Sequence, residues 1–506
     1  MSKYGYFLLS FALILFSPVL TPPGHTAPQA QNPMSQTIKQ KSKSNPTQNT
    51  PPQQPQTVVE NTAKIGYLLM DLDTGQTLES SQDQETFIPA SVSKVPTTLA
   101  ALHILGSNHR FITSVQSTAQ VINGTLQGDL ILVGGGDPSL SMAGLMDLAL
   151  QLRLKGIQRI QGRFLYDESA LLPDMNISNE QNEEETYNQG VSALTLDFNR
   201  VRLSWSIHSS GRISTQIVPN LGYVSLLAGE TSRFGPNLTF LNGERGEVWR
   251  LNPHGARSGW EWVPIKQPAR YTALVFREFS HQAAIDLPAP EPGRTTPTAK
   301  TLASHASPPL SDLVDATLEH SNNLWTELIS MNAASRLSGQ PQSVISSAKL
   351  LSTWMTRQIP GTDWTGFHLA NSCGLTAVSR ISPRQMVAIL QWANGSLAGE
   401  RAFASLLPIS GWKGTLTSRF STPESSLRVW AKTGTILYGK ALAGYLFTHQ
   451  NRRLAFAIFA SDFVMRKAFD ARMGQHSPNE IAQGRLWNSK ASGQISALVE
   501  KWLHNY

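Results

Sequence analysis

The stretch Pro89-Ala-Ser-Val-Ser-Lys94 opens an apolar helical run and carries the first pair of residues able to do chemistry. Ser91 and Lys94 are three apart, so at the start of a helix their side chains share a face. A serine hydroxyl is a poor nucleophile until a base takes its proton. A lysine can be that base only when neutral, and burial or a neighbouring cation can depress its pKa by several units from about 10.4. Backbone N–H groups at a helix start can also face a developing oxyanion. The spacing is weak alone, because Ser-x-x-Lys recurs at Ser346–Lys349 and Ser410–Lys413. A serine at such a position more commonly serves as a helix-start residue.

Two further groups could complete such a site. Ser321-x-Asn323 lies between two helical runs and can place a hydroxyl and an amide beside a nucleophile. Its plainer role is a helix cap, and Ser-x-Asn recurs at Ser477–Asn479. Lys432-Thr433-Gly434-Thr435 ends an apolar strand. A lysine there can hold a substrate carboxylate as a point charge, and a glycine lets a ligand approach the strand edge. The plainer reading is an exposed strand lysine before a turn glycine.

The elements that must position these residues are legible in outline. Residues 65–72 read as a strand, Asp73-Thr-Gly75 as a turn and 76–80 as the return strand. Further strands are expected at 427–433, 441–448 and 453–461, and helices at 97–105, 310–318, 324–337 and 495–503. Pro96 should kink the nucleophile helix or tighten its first turn. Between about 111 and 287 the pattern changes to short strands and turns, such as 130–133 and 201–207. The length of 506 residues is that of about three ordinary domains. Helices framing a sheet at both chain ends predict an α/β (α+β) fold, a sheet flanked by helices. Its catalytic domain would be discontinuous, at 58–110 and 288–506, opened by a strand-rich insertion at 111–287.

The order Ser91–Lys94, Ser321–Asn323, Lys432–Gly434 resembles the motif set of penicillin-binding proteins and serine β-lactamases. Roughly 230 residues separate the first two motifs, which narrows the resemblance to class C low-molecular-mass penicillin-binding proteins. These are D-alanyl-D-alanine carboxypeptidases and endopeptidases. Leu132-Val-Gly-Gly-Gly-Asp-Pro138, Tyr187-Asn with Val191-Ser-Ala-Leu194, Ser307-Pro-Pro-Leu310 and Leu407-Pro-Ile-Ser-Gly-Trp-Lys-Gly-Thr-Leu416 are similar to that family too.

The resemblance implies a transpeptidase-like domain that acts without metal or cofactor on peptidoglycan stem peptides and is acylated by β-lactam antibiotics. It implies that Ser91 is acylated by the penultimate D-alanine and that Lys94 takes its proton. Ser321 would relay a proton to the leaving amine, and Asn323 would orient Lys94 and the substrate amide. Lys432, Thr433 and Thr435 would hold the terminal carboxylate beside Gly434. The N–H groups of Ser91 and Thr435 would form the oxyanion hole, and Tyr187 would contact substrate. One stretch departs from the family: an expected Asp-Gly-Ser-Gly-Leu-Ser-Arg reads Asn371-Ser-Cys-Gly-Leu-Thr-Ala377. The lost charges put the diamino-acid preference in question, and Glu183, Glu184 and Glu185 are candidate replacements, although a solvated charge run is their commoner role. A β-lactamase or a non-catalytic peptidoglycan-binding protein remain as alternatives.

Charge and composition narrow the partners. The net charge of +7 includes +4 from Lys3, Lys39, Lys41 and Lys43, which leaves +3 on the remainder and argues against a nucleic-acid-binding body. One cysteine, Cys373, excludes an intramolecular disulfide and a multi-cysteine zinc site. The apolar run from Tyr6 to about Leu20 has the length of an export signal, with an uncleaved membrane anchor as the alternative. Residues 1–27 are therefore expected to be signal or anchor and 28–57 a flexible linker, which implies an exported, periplasmic or cell-envelope protein. Gly434-x-x-x-x-Gly439-Lys440 mimics a phosphate loop, but Ala441 replaces the hydroxyl needed for magnesium. There is no Gly-x-Ser-x-Gly and no His-Glu-x-x-His. Trp260 and Trp262 are expected in the core, with glycan stacking as their weaker alternative.

Overall fold

Leu68 and Leu69 are adjacent, and both are fully buried. Neighbours on a strand point to opposite faces, so the sheet that carries them must be covered on both sides. The computed structural model describes residues 63–228, 238–243, 246–252, 257–472 and 476–506. The expected signal and linker lie outside the described residues.

The first strand, β1 (Lys64–Asp71), turns into β2 (Thr77–Ser81). The turn is held by Asp71 Oδ1, which accepts from Thr74 N at 2.9 Å and Thr74 Oγ1 at 3.0 Å. A 3₁₀ turn, Ala90–Ser93, runs into helix α1 (Lys94–Leu105). Pro96 falls in the first turn of α1, where a missing N–H leaves no helical bond unmade. Within the insertion, β3 (Arg200–Ile207), β4 (Ile213–Val218) and β5 (Ser258–Pro264) form one antiparallel sheet in the order β4-β3-β5. Helices α2 (Leu310–His320), α3 (Asn323–Ser338) and α4 (Pro383–Asn394) follow. Strands β6 (Val429–Ile436), β7 (Gly439–Phe447) and β8 (Arg453–Ser461) and helices α5 (Phe463–Asp470) and α6 (Pro478–Asn505) end the chain.

The central sheet has the order β6-β7-β8-β1-β2, with every pair antiparallel. On one face Leu68, Ala457 and Phe459 meet Val95 and Leu99 of α1, Ile329 of α3 and Leu390 of α4. On the other, Leu69, Phe456 and Ile458 meet Ile495, Val499 and Trp502 of α6. Helix α1 is buried on every side from Lys94 to Leu102, which matches its nearly uniform apolar sequence. Lys94 is thereby carried into the interior.

The fold class is the expected one, a sheet flanked by helices with a large insertion. The middle of the chain is not strands and turns alone. Helices Met142–Leu154 and Pro268–Gln282 pack in its core, and their apolar positions were not recognised as helical from sequence. A five-stranded sheet there contains Ile112–Ser117, Leu130–Val133, Phe164–Asp167, Pro290–Pro292 and Lys300–Ala306. Its first and last strands in sequence pair antiparallel. Phe111 and Ser307 are joined by two bonds just outside that pair: Ser307 N donates to Phe111 O at 2.9 Å, and Phe111 N donates to Ser307 Oγ at 3.0 Å. The insertion rests on α3, where Leu171, Ile177 and Val191 pack against Leu324, Leu328 and Met331.

Candidate active site

Ser91 sits half-buried in the 3₁₀ turn before α1. The turn is tightly constrained. Ala90 has φ of 45°, a left-handed conformation that L-residues adopt rarely. Ser93 Oγ ties it by donating to Ala90 O at 2.5 Å. Gly374, with φ of +80°, presses against the same turn, and a Cβ there would lie 1.9 Å from Ala90 O. From the other side, a Cβ on Gly434 would lie 2.5 Å from Pro89 O, so strand β6 passes directly beside the nucleophile turn.

Lys94 Nζ donates to Ser91 Oγ at 3.0 Å, Asn323 Oδ1 at 2.8 Å and the Cys373 carbonyl at 2.6 Å. Burial pushes its pKa down to about 8, against opposing influences from Cys373 and Glu327. Lys432 is fully buried too and donates to Ser321 Oγ at 2.8 Å and Thr433 O at 2.9 Å. Burial and then the nearby Lys94 charge hold its pKa well below the ordinary lysine value. The plainer reading of Lys432 as an exposed strand residue is thus overturned: β6 continues three residues beyond the expected end at 433 and carries Lys432 inward.

The capping alternatives resolve in the same way. Asn322, between the two motif residues, caps α3 by accepting from Trp325 N at 3.0 Å. Ser321 ends α2 in a left-handed conformation with φ of 55°, and Asn323 is the first residue of α3. The repeats of the motifs have structural work instead. Ser346 belongs to the capping box of helix Val344–Gln358, Ser410 Oγ donates to Ser425 O at 2.8 Å, and Ser477 caps α6. Lys413 pairs with Asp315.

Ser91, Ser321, Asn323 and Thr435 line a cleft of about 580 Å³. Lys94 and Lys432 lie behind them, fully buried. Tyr187 is on the cleft wall, 41% exposed. Thr433 turns to Thr415, with the two hydroxyl oxygens 2.9 Å apart, and Gly434 is buried against the nucleophile turn. Thr435 Oγ1 accepts from Lys440 Nζ at 2.7 Å. Burial, with Arg419 nearby, brings the Lys440 pKa down to about 8.

The altered loop at 371–377 borders this cleft through Gly374 and Leu375. Cys373 itself points inward, fully buried, and its backbone N donates to Glu327 Oε1 at 2.7 Å. Burial raises the Glu327 carboxyl to about 7, against the opposing bonds from Cys373 and the Lys94 charge. Among the three candidate acids, Glu185 lines the cleft and Glu183 is exposed. The acid that meets the altered loop is another, Glu180, whose Oε2 accepts from Thr376 Oγ1 at 2.6 Å and Ala377 N at 3.2 Å. Sequence reasoning missed Glu180, Glu327, Lys440 and the cleft residue Arg466. Glu327 carried a usable signal, since it stands four residues after Asn323 and so on the same helix face.

Residues 56–480 match the D-Ala-D-Ala carboxypeptidase 3 (S13) family. The D-alanyl-D-alanine carboxypeptidase of Actinomadura sp. (strain R39) is 25% identical over 460 residues, covering 83% of each chain. The D-alanyl-D-alanine carboxypeptidase DacB of Haemophilus influenzae is 23% identical over 420 residues, 79% of this chain and 86% of the relative. Among solved structures, penicillin binding protein 4 (dacB) from Haemophilus influenzae shares the fold with a TM-score of 0.69 at 20% identity, covering 80% of this chain and 91% of that one. The resemblance drawn from three short motifs thus extends through the insertion and across most of the sequence, and the chain belongs to the D-Ala-D-Ala carboxypeptidase 3 (S13) family.

Proposed function

We propose that this chain is a serine D-Ala-D-Ala carboxypeptidase that trims peptidoglycan stem peptides through an acyl-enzyme at Ser91. The observation that carries the reading is the contact of 3.0 Å between Lys94 Nζ and Ser91 Oγ, made where burial favours the neutral amine. Neutral Lys94 takes the serine proton as Ser91 Oγ bonds to the carbonyl carbon of the penultimate D-alanine. The N–H groups of Ser91 and Thr435 face the oxyanion. As the peptide bond breaks, the proton that Lys94 took passes through the Ser321 hydroxyl to the leaving D-alanine amine, and Lys432, which donates to Ser321 Oγ, holds that hydroxyl in place. Lys432, Thr433 and Thr435 hold the terminal carboxylate, with Lys440 behind Thr435. Water then attacks the ester and frees Ser91. Strand β6 is an edge strand beside the cleft, so an extended peptide can lie along it.

A cross-linked stem peptide presents the same D-alanyl carbonyl, so the same steps would cleave a cross-link. A β-lactam would acylate Ser91 and stall before hydrolysis. Because strands Pro290–Pro292 and Lys300–Ala306 belong to the insertion's sheet, the return expected at 288 moves to Ser307, and residues 58–110 and 307–506 act in this reading as one catalytic domain opened by the insertion. The substrate places the work outside the cytoplasm, with the N-terminal apolar run as signal or anchor. Labelled penicillin followed by intact-mass analysis tests the proposal. One adduct per chain is expected on the wild type and none on Ser91→Ala, and undiminished labelling of the variant would end the assignment.

A further inference from the structure

The outer face of the β4-β3-β5 sheet is not used by the reaction, and it carries two exposed tryptophans. On β3, Val201, Leu203 and Trp205 enter the core, so the alternation of a strand turns Arg200, Arg202 and Ser204 outward. Register pairs Trp262 with Arg202 and Trp260 with Ser204, which puts both indoles on that face. The expectation that they are core residues is therefore corrected: they are 61% (Trp260) and 37% (Trp262) exposed. Their rings stand 6.4 Å apart at 87°, forming a corner rather than a stack. With Arg202 and Val218 they bound a hollow of about 430 Å³.

This hollow is joined to the catalytic cleft by packed rings. The Arg200 guanidinium lies 4.5 Å from the Trp262 ring centre and 5.1 Å from that of Phe198. Phe198 stacks on Trp325 with centres 5.6 Å apart and planes 5° apart. Trp325 follows Asn323 by two residues on α3. A second hollow of about 380 Å³ lies along this path and is bounded at its inner end by Ser321 and Asn323 and farther out by Phe198 and Arg200. The turn that presents Phe198 is left-handed at three successive residues, with φ of 42°, 60° and 47° at Asp197, Phe198 and Asn199. Such a turn is held against its preference by Asn199, which accepts from Leu196 N at 3.0 Å and donates to Gly190 O at 2.8 Å.

We propose that this path is a subsite for a β-linked amino-sugar polymer, the glycan strand that carries the stem peptide. The proposal rests on the reaction proposed above only in taking that peptide to be the substrate. Pyranose rings have an apolar C–H face that suits the negative face of an indole, and a corner of two indoles holds one sugar. Their hydroxyl and acetamido oxygens suit the guanidinium donors of Arg200 and Arg202. The flat, twisted face of a sheet suits an extended polymer, and its continuity with the Ser321 end of the cleft sets the glycan on one side of the scissile bond.

The probe is peptide-free glycan strands of alternating N-acetylglucosamine and N-acetylmuramic acid, with binding measured by calorimetry on the full chain. Wild type should bind, and the variant Trp260→Ala/Trp262→Ala should bind at least about tenfold more weakly. In the wild type the strands should also shield both indoles from N-bromosuccinimide, a measurement that needs no variant. No binding by wild type, equal binding by the variant, unshielded indoles, or a preference for phosphatidylglycerol vesicles over glycan would each overturn the proposal. Acylation of wild type by penicillin is read separately, so its failure counts against the reaction and not against the glycan face.

Discussion

Lys94 must be neutral to accept a proton, and its burial decides at which pH that happens. With its pKa lowered to about 8, the neutral form is lost as pH falls through that value. Acylation by penicillin should therefore fall about tenfold per pH unit below 8 and level off above it, and a flat profile between about pH 6 and pH 9 would exclude Lys94 as the base. Glu327 raises the Lys94 pKa through its charge. Glu327→Gln keeps an acceptor for Cys373 N but removes that charge, so the midpoint of the profile should move to lower pH. A midpoint that moves up or stays would contradict this positioning role. Lys94→Ala should slow acylation by on the order of 10²–10⁴; acylation at the wild-type rate would mean another base. At this scale the five motif side chains were legible because each sits at a fixed local spacing. Glu180 was not, because the chain brings it to Thr376 from 196 residues away.

Elements hold these side chains through close backbone contact. Gly374 is the clearest case, since its φ of +80° disfavours any side chain and a Cβ would meet Ala90 O at 1.9 Å. Gly374→Ala should push the Cys373 loop off the nucleophile turn, lower stability by about 2–3 kcal/mol and slow acylation. Unchanged unfolding and acylation would show that the loop does not set the turn. Strands β7 and β8 were readable from sequence because they lie inside the sheet, buried on both faces, and their runs are almost wholly apolar. Helix α4 was missed although its start signal is present: Ser382 caps it together with Gln385, and Pro383 is its first residue. Helix Val344–Gln358 was missed although its signal is present too: Val344, Ala348, Leu351 and Met355 recur at helical spacing and form its buried face.

Across the whole molecule, the two ends of the folded chain meet in one core. Trp502 of α6 is fully buried and lies 5.7 Å from Tyr67 of β1 and 6.0 Å from Phe456 of β8, ring centre to ring centre. Trp502→Ala should cost about 3–5 kcal/mol of stability, read by denaturant unfolding, and a loss below about 1 kcal/mol would mean that this end is not part of the core. The insertion leaves beside Phe111 and returns beside Ser307, yet it supplies Glu180, Glu185 and Tyr187 to the cleft. The Tyr187 stretch pointed to that docking through the family resemblance, but Glu180 did not, because its place depends on contacts between segments far apart in the chain. The central claim is chemical, and products test it most directly. Purified full-length protein should be incubated with defined uncross-linked pentapeptide and cross-linked dimer muropeptides, and the products identified by mass. Loss of one D-alanine from the pentapeptide, absent with Ser91→Ala, is the result expected; intact pentapeptide and intact dimer after incubation with acylation-competent wild type would contradict the account.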